Sequence, residues 1–139
     1  APRPGETIRS PIISLITVNG VWSVSNQRDS VINESGVEQQ WHYVGQHQTG
    51  VWAQWVFHVK WSVRSDGLLE VWKDGVKVVT QYGPNTFKDA DMYYLKLGIY
   101  KSGWKDDPAI IDAVTKRTVY HDELRIAGPG GSLGAVSPR

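Results

Sequence analysis

Polar and apolar residues alternate along this chain with a period of two, and helical periodicity is almost absent, so the pattern predicts strands. The run Tyr93 to Tyr100 is the clearest two-faced case. Leu95, Leu97 and Ile99 fall on one side, and Tyr94, Lys96, Gly98 and Tyr100 on the other. The spacing predicts a strand with an apolar face for a core and a second face carrying two tyrosines and a lysine. Glycine has no side chain to pack in a strand interior. Gly98 therefore marks either a bulge beside a solvated face or a floor that a flat ring approaches closely. Lys96 and Tyr100 would stand roughly 13 Å apart at their Cα atoms and lean toward a ligand from either side.

The rest of the chain predicts short strands separated by turns. Ile12 to Val18 and Val21 to Ser25 are joined by Asn19-Gly20, a two-residue hairpin signal. Asn26 to Gly36 reads as an exposed loop. Val37 to Val44 predicts a strand with Trp41 and Tyr43 on one face and Gln40 and His42 on the other, and Gly45 to Gly50 is a turn. Trp52 to Val63 is the longest predicted strand, with Trp55, Phe57, Val59, Trp61 and Val63 on one face and Gln54, His58, Lys60 and Ser62 on the other. Asp66-Gly67 and Asp74-Gly75 predict tight turns that make a meander of Leu68 to Lys73 and Val76 to Gln81. Gly83-Pro84-Asn85 ends it, and Thr86 to Ala90 crosses to the Tyr93 run. A polar loop follows from Lys101 to Lys116, with a helical turn at Ala109 to Val114. Arg117 to Ile126 is the last predicted strand, and Gly128 to Arg139 reads as a flexible tail. These elements predict an all-β antiparallel sandwich or jelly roll of concanavalin-like type.

Composition narrows the function classes. At 139 residues the chain is one domain of ordinary size. A formal net charge of +1 lacks the basic footprint of a nucleic-acid-binding protein. No run approaches the roughly 20 apolar residues of a membrane-spanning helix. With no cysteine, disulfides and thiolate metal sites are excluded. Seven tryptophans and six tyrosines are many for this length, and such side chains serve both cores and sugar-binding platforms. The acidic residues Asp106, Asp107, Asp112, Asp122 and Glu123 show no calcium-loop spacing.

Three segments in this order resemble the jelly-roll polysaccharide lyases, notably the glucuronan lyases and more distantly heparin lyase I and the alginate lyases. Trp52 to Lys73 is similar to the family's W-x-x-x-V-x-H-V-K-W-S … D-G-x-L-E-V-W stretch, Gly83 to Tyr100 to G-P-N-x-F/Y … Y-x-K-x-G-x-Y, and Tyr120 to Ala127 reads Y-H-D-E-L-R-I-A. The resemblance implies β-elimination on a uronate-containing polymer. That chemistry needs donors to neutralise the uronate carboxylate, a base for the proton on carbon 5 and an acid for the departing oxygen on carbon 4. By motif position, Tyr100 is implied as the catalytic acid/base, Lys96 as its cationic partner, Tyr94 as a subsite contact and Gly98 as the floor.

The family's Gln-x-His pair, which neutralises the carboxylate and shares proton transfer, lies upstream of a segment like Ser10 to Leu15 and has no counterpart before it here. The expectation is a second polypeptide carrying the N-terminal half and that pair. Gln40-Trp41-His42 offers a substitute for substrate binding, although its place in the strand order differs. His58 and Lys60 are expected at the surface. The resemblance also implies a structural calcium ion at Asp122, no cofactor for the chemistry and secretion with the polysaccharide substrate. A non-catalytic carbohydrate-binding sandwich is the alternative.

Overall fold

Asn19 and Gly20 take φ of 50° and 75°, the left-handed pair that closes a two-residue hairpin with the twist of its strands. They join β1 (Ile13–Val18) to β2 (Val21–Arg28), and β3 (Glu38–Gln46) pairs antiparallel on the other side of β2. Asp74 and Gly75 repeat the device at 50° and 79° between β5 (Leu68–Lys73) and β6 (Val76–Tyr82), with β4 (Trp55–Lys60) along the outer edge of β5. The computed structural model describes residues 10–29, 37–88, 94–101 and 116–137. Its two three-stranded sheets, β1-β2-β3 and β4-β5-β6, make the all-β antiparallel sandwich predicted by the alternation.

The chain divides into two units, Ala1–Asp91 with Ala127–Arg139, and Met92–Ile126. Both sheets belong to the first. Their inward faces meet at Val24 and Val44 from one sheet and Leu69, Val71 and Val79 from the other, with Ile13, Leu15, Trp22, Trp55 and Val59 packed around them. Each of the buried side chains Val24, Val44, Leu69, Val71 and Val79 contributes about 1.5–3 kcal/mol. The rings of Trp22 and Trp55 meet edge to face with centroids 5.3 Å apart, so aromatic packing joins the sheets at one end.

A polar clamp holds the other end. Asn85 is fully buried; its Nδ2 donates to the carbonyls of Lys60 and Leu68, and its Oδ1 accepts from the Ser62 N–H. It ties the end of β4 to the start of β5. Asp66-Gly67 therefore does not close a tight hairpin. Residues 61–67 form a longer connection, in which a Cβ on Gly67 would lie 2.2 Å from the carbonyl oxygen of Gly83. Glycine is required there by close backbone approach.

β4 is shorter than predicted because the backbone leaves the sheet after Lys60, and β2 runs on through Asn26 to Arg28. The residues just past β2 meet 86–88 through a parallel bridge, Asp29 to Phe87. The tail expected to be flexible carries one helical turn, α1 (Leu133–Val136), whose N-cap Ser132 accepts from the Ala135 N–H. Among the described residues no helix is long and apolar enough to cross a membrane.

In the second unit, 94–101 and 116–126 are described, and neither segment is a strand. This corrects the prediction for the Tyr93 run and for Arg117 to Ile126. Gly98 takes φ of 143° and Glu123 φ of 51°, which interrupt the extended backbone that a ladder needs. Leu95, Leu97 and Ile99 are exposed, as are Val119, Leu124 and Ile126, so the apolar face foreseen for a core is not buried. The lead before Ser10, the loop at 30–36, Ala90, Tyr93 and the helical turn at Ala109 to Val114 lie outside the described residues.

Candidate functional site

β3 puts Gln40 and His42 on its inward face, opposite Asn26 and Val24 of β2 in the register. Both are half-buried. Trp41 and Tyr43 occupy the outward face, 41% and 78% exposed, beside Ser25 and Ser23. The polar pair therefore faces the opposite sheet, and the aromatic pair faces solvent.

Neighbouring side chains fix how the inward pair presents itself. Arg28 donates to Glu38 at 2.9 Å and to the Gln40 Oε1 at 3.1 Å, which occupies the acceptor end of the Gln40 amide and leaves its NH₂ as the presenting group. His42 Nε2 lies 2.9 Å from Gln81 Oε1 on β6, and Gln81 Nε2 donates to Asn26 Oδ1 at 2.8 Å. Asn26 Nδ2 donates to the carbonyl of Asn85 at 2.8 Å. These amides cross from sheet to sheet through buried positions, where a polar group costs free energy unless it is paired. Arg28, Gln81 and Asn26 were not singled out from the sequence. Asn26 opens a run rich in Asn, Asp, Ser, Glu and Gly with little periodicity, which reads as a loop. Its inward position two residues after Val24 was the signal that could have found it.

The residues of the Tyr-x-Lys-x-Gly-x-Tyr motif lie in the second unit. The Lys96 ammonium sits 5.1 Å from the centroid of the Tyr94 ring, an exposed cation–π pair. The positive φ of Gly98 is one that only glycine adopts without strain. Tyr100 is 80% exposed. Lys96, Tyr94 and Tyr100 are thus exposed, and the described segment 94–101 that carries them is not a strand. Gln40 and His42 belong to the first unit, and Tyr94, Lys96, Gly98, Tyr100 and Asp122 to the second.

Asp122 uses one carboxylate oxygen to accept from the Glu123 N–H at 2.8 Å. Among the described residues no group of three or more His, Asp or Glu side chains gathers to hold a metal ion.

His58 and Lys60 project from the outward face of β4. His58 Nδ1 lies 2.9 Å from Glu70 Oε2, and Lys77 bonds the other Glu70 oxygen while its ammonium sits 4.9 Å over the Trp72 ring. The bond from Lys77, then that from His58, holds the Glu70 carboxyl below its ordinary pKa. Lys60 pairs with Asp66 at 3.0 Å. Asp66 is held low first by the Ser62 hydroxyl and then by Lys60. These exposed ladders match the surface role expected for His58 and Lys60. A cavity of about 50 Å³ lies between α1 and this face, lined by Val56, Trp72 and Leu133 among others. It has room for a water molecule or two and not for a sugar ring.

A family model described as polysaccharide lyase matches residues 3–125. No curated protein and no solved structure matches the chain.

Proposed function

Because the chain belongs to the polysaccharide lyase family, we propose that it cleaves a uronate-containing polysaccharide, glucuronan- or alginate-like, by β-elimination. The observation that carries this reading is the exposed Tyr94–Lys96 pair and the exposed Tyr100, which share the Tyr-x-Lys-x-Gly-x-Tyr motif. In the elimination, a base takes the proton from carbon 5, and the C–H electron pair becomes the double bond between carbons 4 and 5. The bond from carbon 4 to the glycosidic oxygen breaks, and that oxygen receives a proton. Tyr100 serves as acid/base, and Lys96 supplies the positive charge that attracts the substrate carboxylate. Tyr94 is a subsite contact, and Gly98 leaves the backbone open to the ring. Within the first unit, Gln40, with its NH₂ as the presenting end, and His42 form a separate contact for a uronate unit. The chemistry requires no cofactor, and no step is routed through calcium. The substrate class places the protein outside the cell.

The exposed Leu95, Leu97 and Ile99 support a partner polypeptide that supplies further strands and a Gln-x-His pair. Copurification of such a chain from the native source is the check. The activity is tested by incubating the protein, alone and with any copurifying chain, with glucuronan, alginate and heparin, and following ultraviolet absorbance of the unsaturated product. No gain in absorbance on any uronate polymer would sink the reading.

A second reading, a carbohydrate-binding module without turnover, is favoured by Trp41 and Tyr43 on the outer face of β3. Binding of uronate oligomers that Trp41→Ala abolishes, with no product formed, would select it.

A further inference from the structure

We infer that Gln81 and Asn26 are positioning residues that fix the tautomer of His42, holding its proton on Nε2 and its lone pair on Nδ1. A backbone carbonyl can only accept a hydrogen bond. Asn26 places one end of its amide 2.8 Å from the carbonyl oxygen of Asn85 and 3.2 Å from that of Ile12, so that end must be the NH₂. The reverse orientation would set three oxygens against one another in a site where Asn26 is fully buried. Asn26 Oδ1 is then an acceptor, and the Gln81 atom 2.8 Å from it must be the donor, Nε2. Gln81 Oε1 is left facing His42 Nε2 at 2.9 Å, and an amide oxygen bonds a ring nitrogen only if that nitrogen carries a hydrogen. The polarity therefore passes from two main-chain carbonyls through two buried amides to the imidazole, with no free choice of orientation at any step.

The consequence for chemistry rests on the reading that His42 contacts the uronate unit. Neutral His42 has no proton on Nδ1 to give to a carboxylate. It meets the substrate as a hydrogen-bond acceptor or a base, so donation to the uronate charge falls to the Gln40 NH₂. Such a pre-set tautomer removes a reorganisation step from the reaction.

The test is a long-range proton–nitrogen correlation spectrum of the whole protein labelled with ¹⁵N-histidine, recorded without substrate at a pH where the ring is neutral. His42→Gln identifies the His42 signals among those of the four histidines. The expected result is a protonated Nε2 and an unprotonated Nδ1. A protonated Nδ1, or two averaged nitrogens, overturns the inference. In Gln81→Met the two nitrogen shifts should move toward each other, and in Gln81→Glu, which keeps an acceptor, the proton should stay on Nε2. Unchanged shifts in Gln81→Met overturn the role of Gln81. Lyase assays of Gln81→Met should show KM raised about tenfold with kcat nearly unchanged. A wild-type spectrum as expected, with no activity on any uronate, supports the tautomer assignment and sinks the lyase reading instead.

Discussion

Asn26 and Asn85 lie 59 positions apart in the chain and are joined by a 2.8 Å hydrogen bond from the Asn26 amide to the Asn85 carbonyl. One bond thus links the middle strand of one sheet to the loop that clamps the other. Asn85 carries the larger share of this junction, because its own side chain also serves Lys60, Leu68 and Ser62.

Asn85→Ala removes the amide that bonds two carbonyls and one N–H at part-buried positions, at about 1–3 kcal/mol for each group left unsatisfied. Urea denaturation should show a loss of at least about 3 kcal/mol. A loss below about 1 kcal/mol would mean that water replaces the amide and that the clamp is dispensable.

Gly67→Ala would drive a methyl group into the carbonyl of Gly83, which cannot swing away as a flexible side chain could. The expected cost is about 1–3 kcal/mol of overpacking strain. Gly75→Ala meets nothing within 4 Å, so it suffers only the strain of its positive φ. Comparison of the two variants by thermal unfolding separates close approach from backbone conformation.

Glu70 is held below its ordinary pKa by Lys77 and then His58. A depressed carboxyl pKa stabilises the fold above the unfolded value, near 4.5, and that contribution disappears as pH falls through the folded value. Glu70→Gln should therefore be less stable than wild type at pH 7, and the gap should close in acid. Added salt should narrow it at pH 7, because Lys77 is exposed. A gap independent of pH would place the effect in packing against Trp72.

Tyr100→Phe removes the hydroxyl and keeps the ring. If Tyr100 transfers the proton, kcat on the best uronate polymer should fall by about 10²–10⁴ with little change in stability. Lys96→Gln should raise KM and make the remaining activity less sensitive to salt. Full activity in Tyr100→Phe would remove that residue from the chemistry.

The hairpins at Asn19-Gly20 and Asp74-Gly75 were legible from the sequence because a two-residue turn demands positive φ, and few residue pairs tolerate it. The period-two alternation of β3 was equally plain and separated Gln40 and His42 from Trp41 and Tyr43. Alternation does not say which face turns inward. That depends on Val24, Leu69 and Val79 having a facing sheet to pack against, a relation between distant segments.

The Asp66-Gly67 prediction failed for a related reason. The dipeptide looks like a hairpin turn, but Gly67 is a glycine because Gly83 passes close to it. Nothing near Asp66 in the chain records that. The His42 network was likewise hidden, since its members come from three strands and a loop, and each amide alone is unremarkable in the sequence.

The Tyr-x-Lys-x-Gly-x-Tyr run marks the limit most clearly. By itself the sequence shows a two-faced alternation that puts Tyr94, Lys96, Gly98 and Tyr100 on one side, with Gly98 either a bulge or a floor. A strand, however, is a relation to a neighbour. It forms only where another segment offers hydrogen bonds and a surface to cover its apolar side. In the first unit β2 and β5 offer both to strands on either side. Among the described residues of the second unit no strand does so, and residues 94–101 form none.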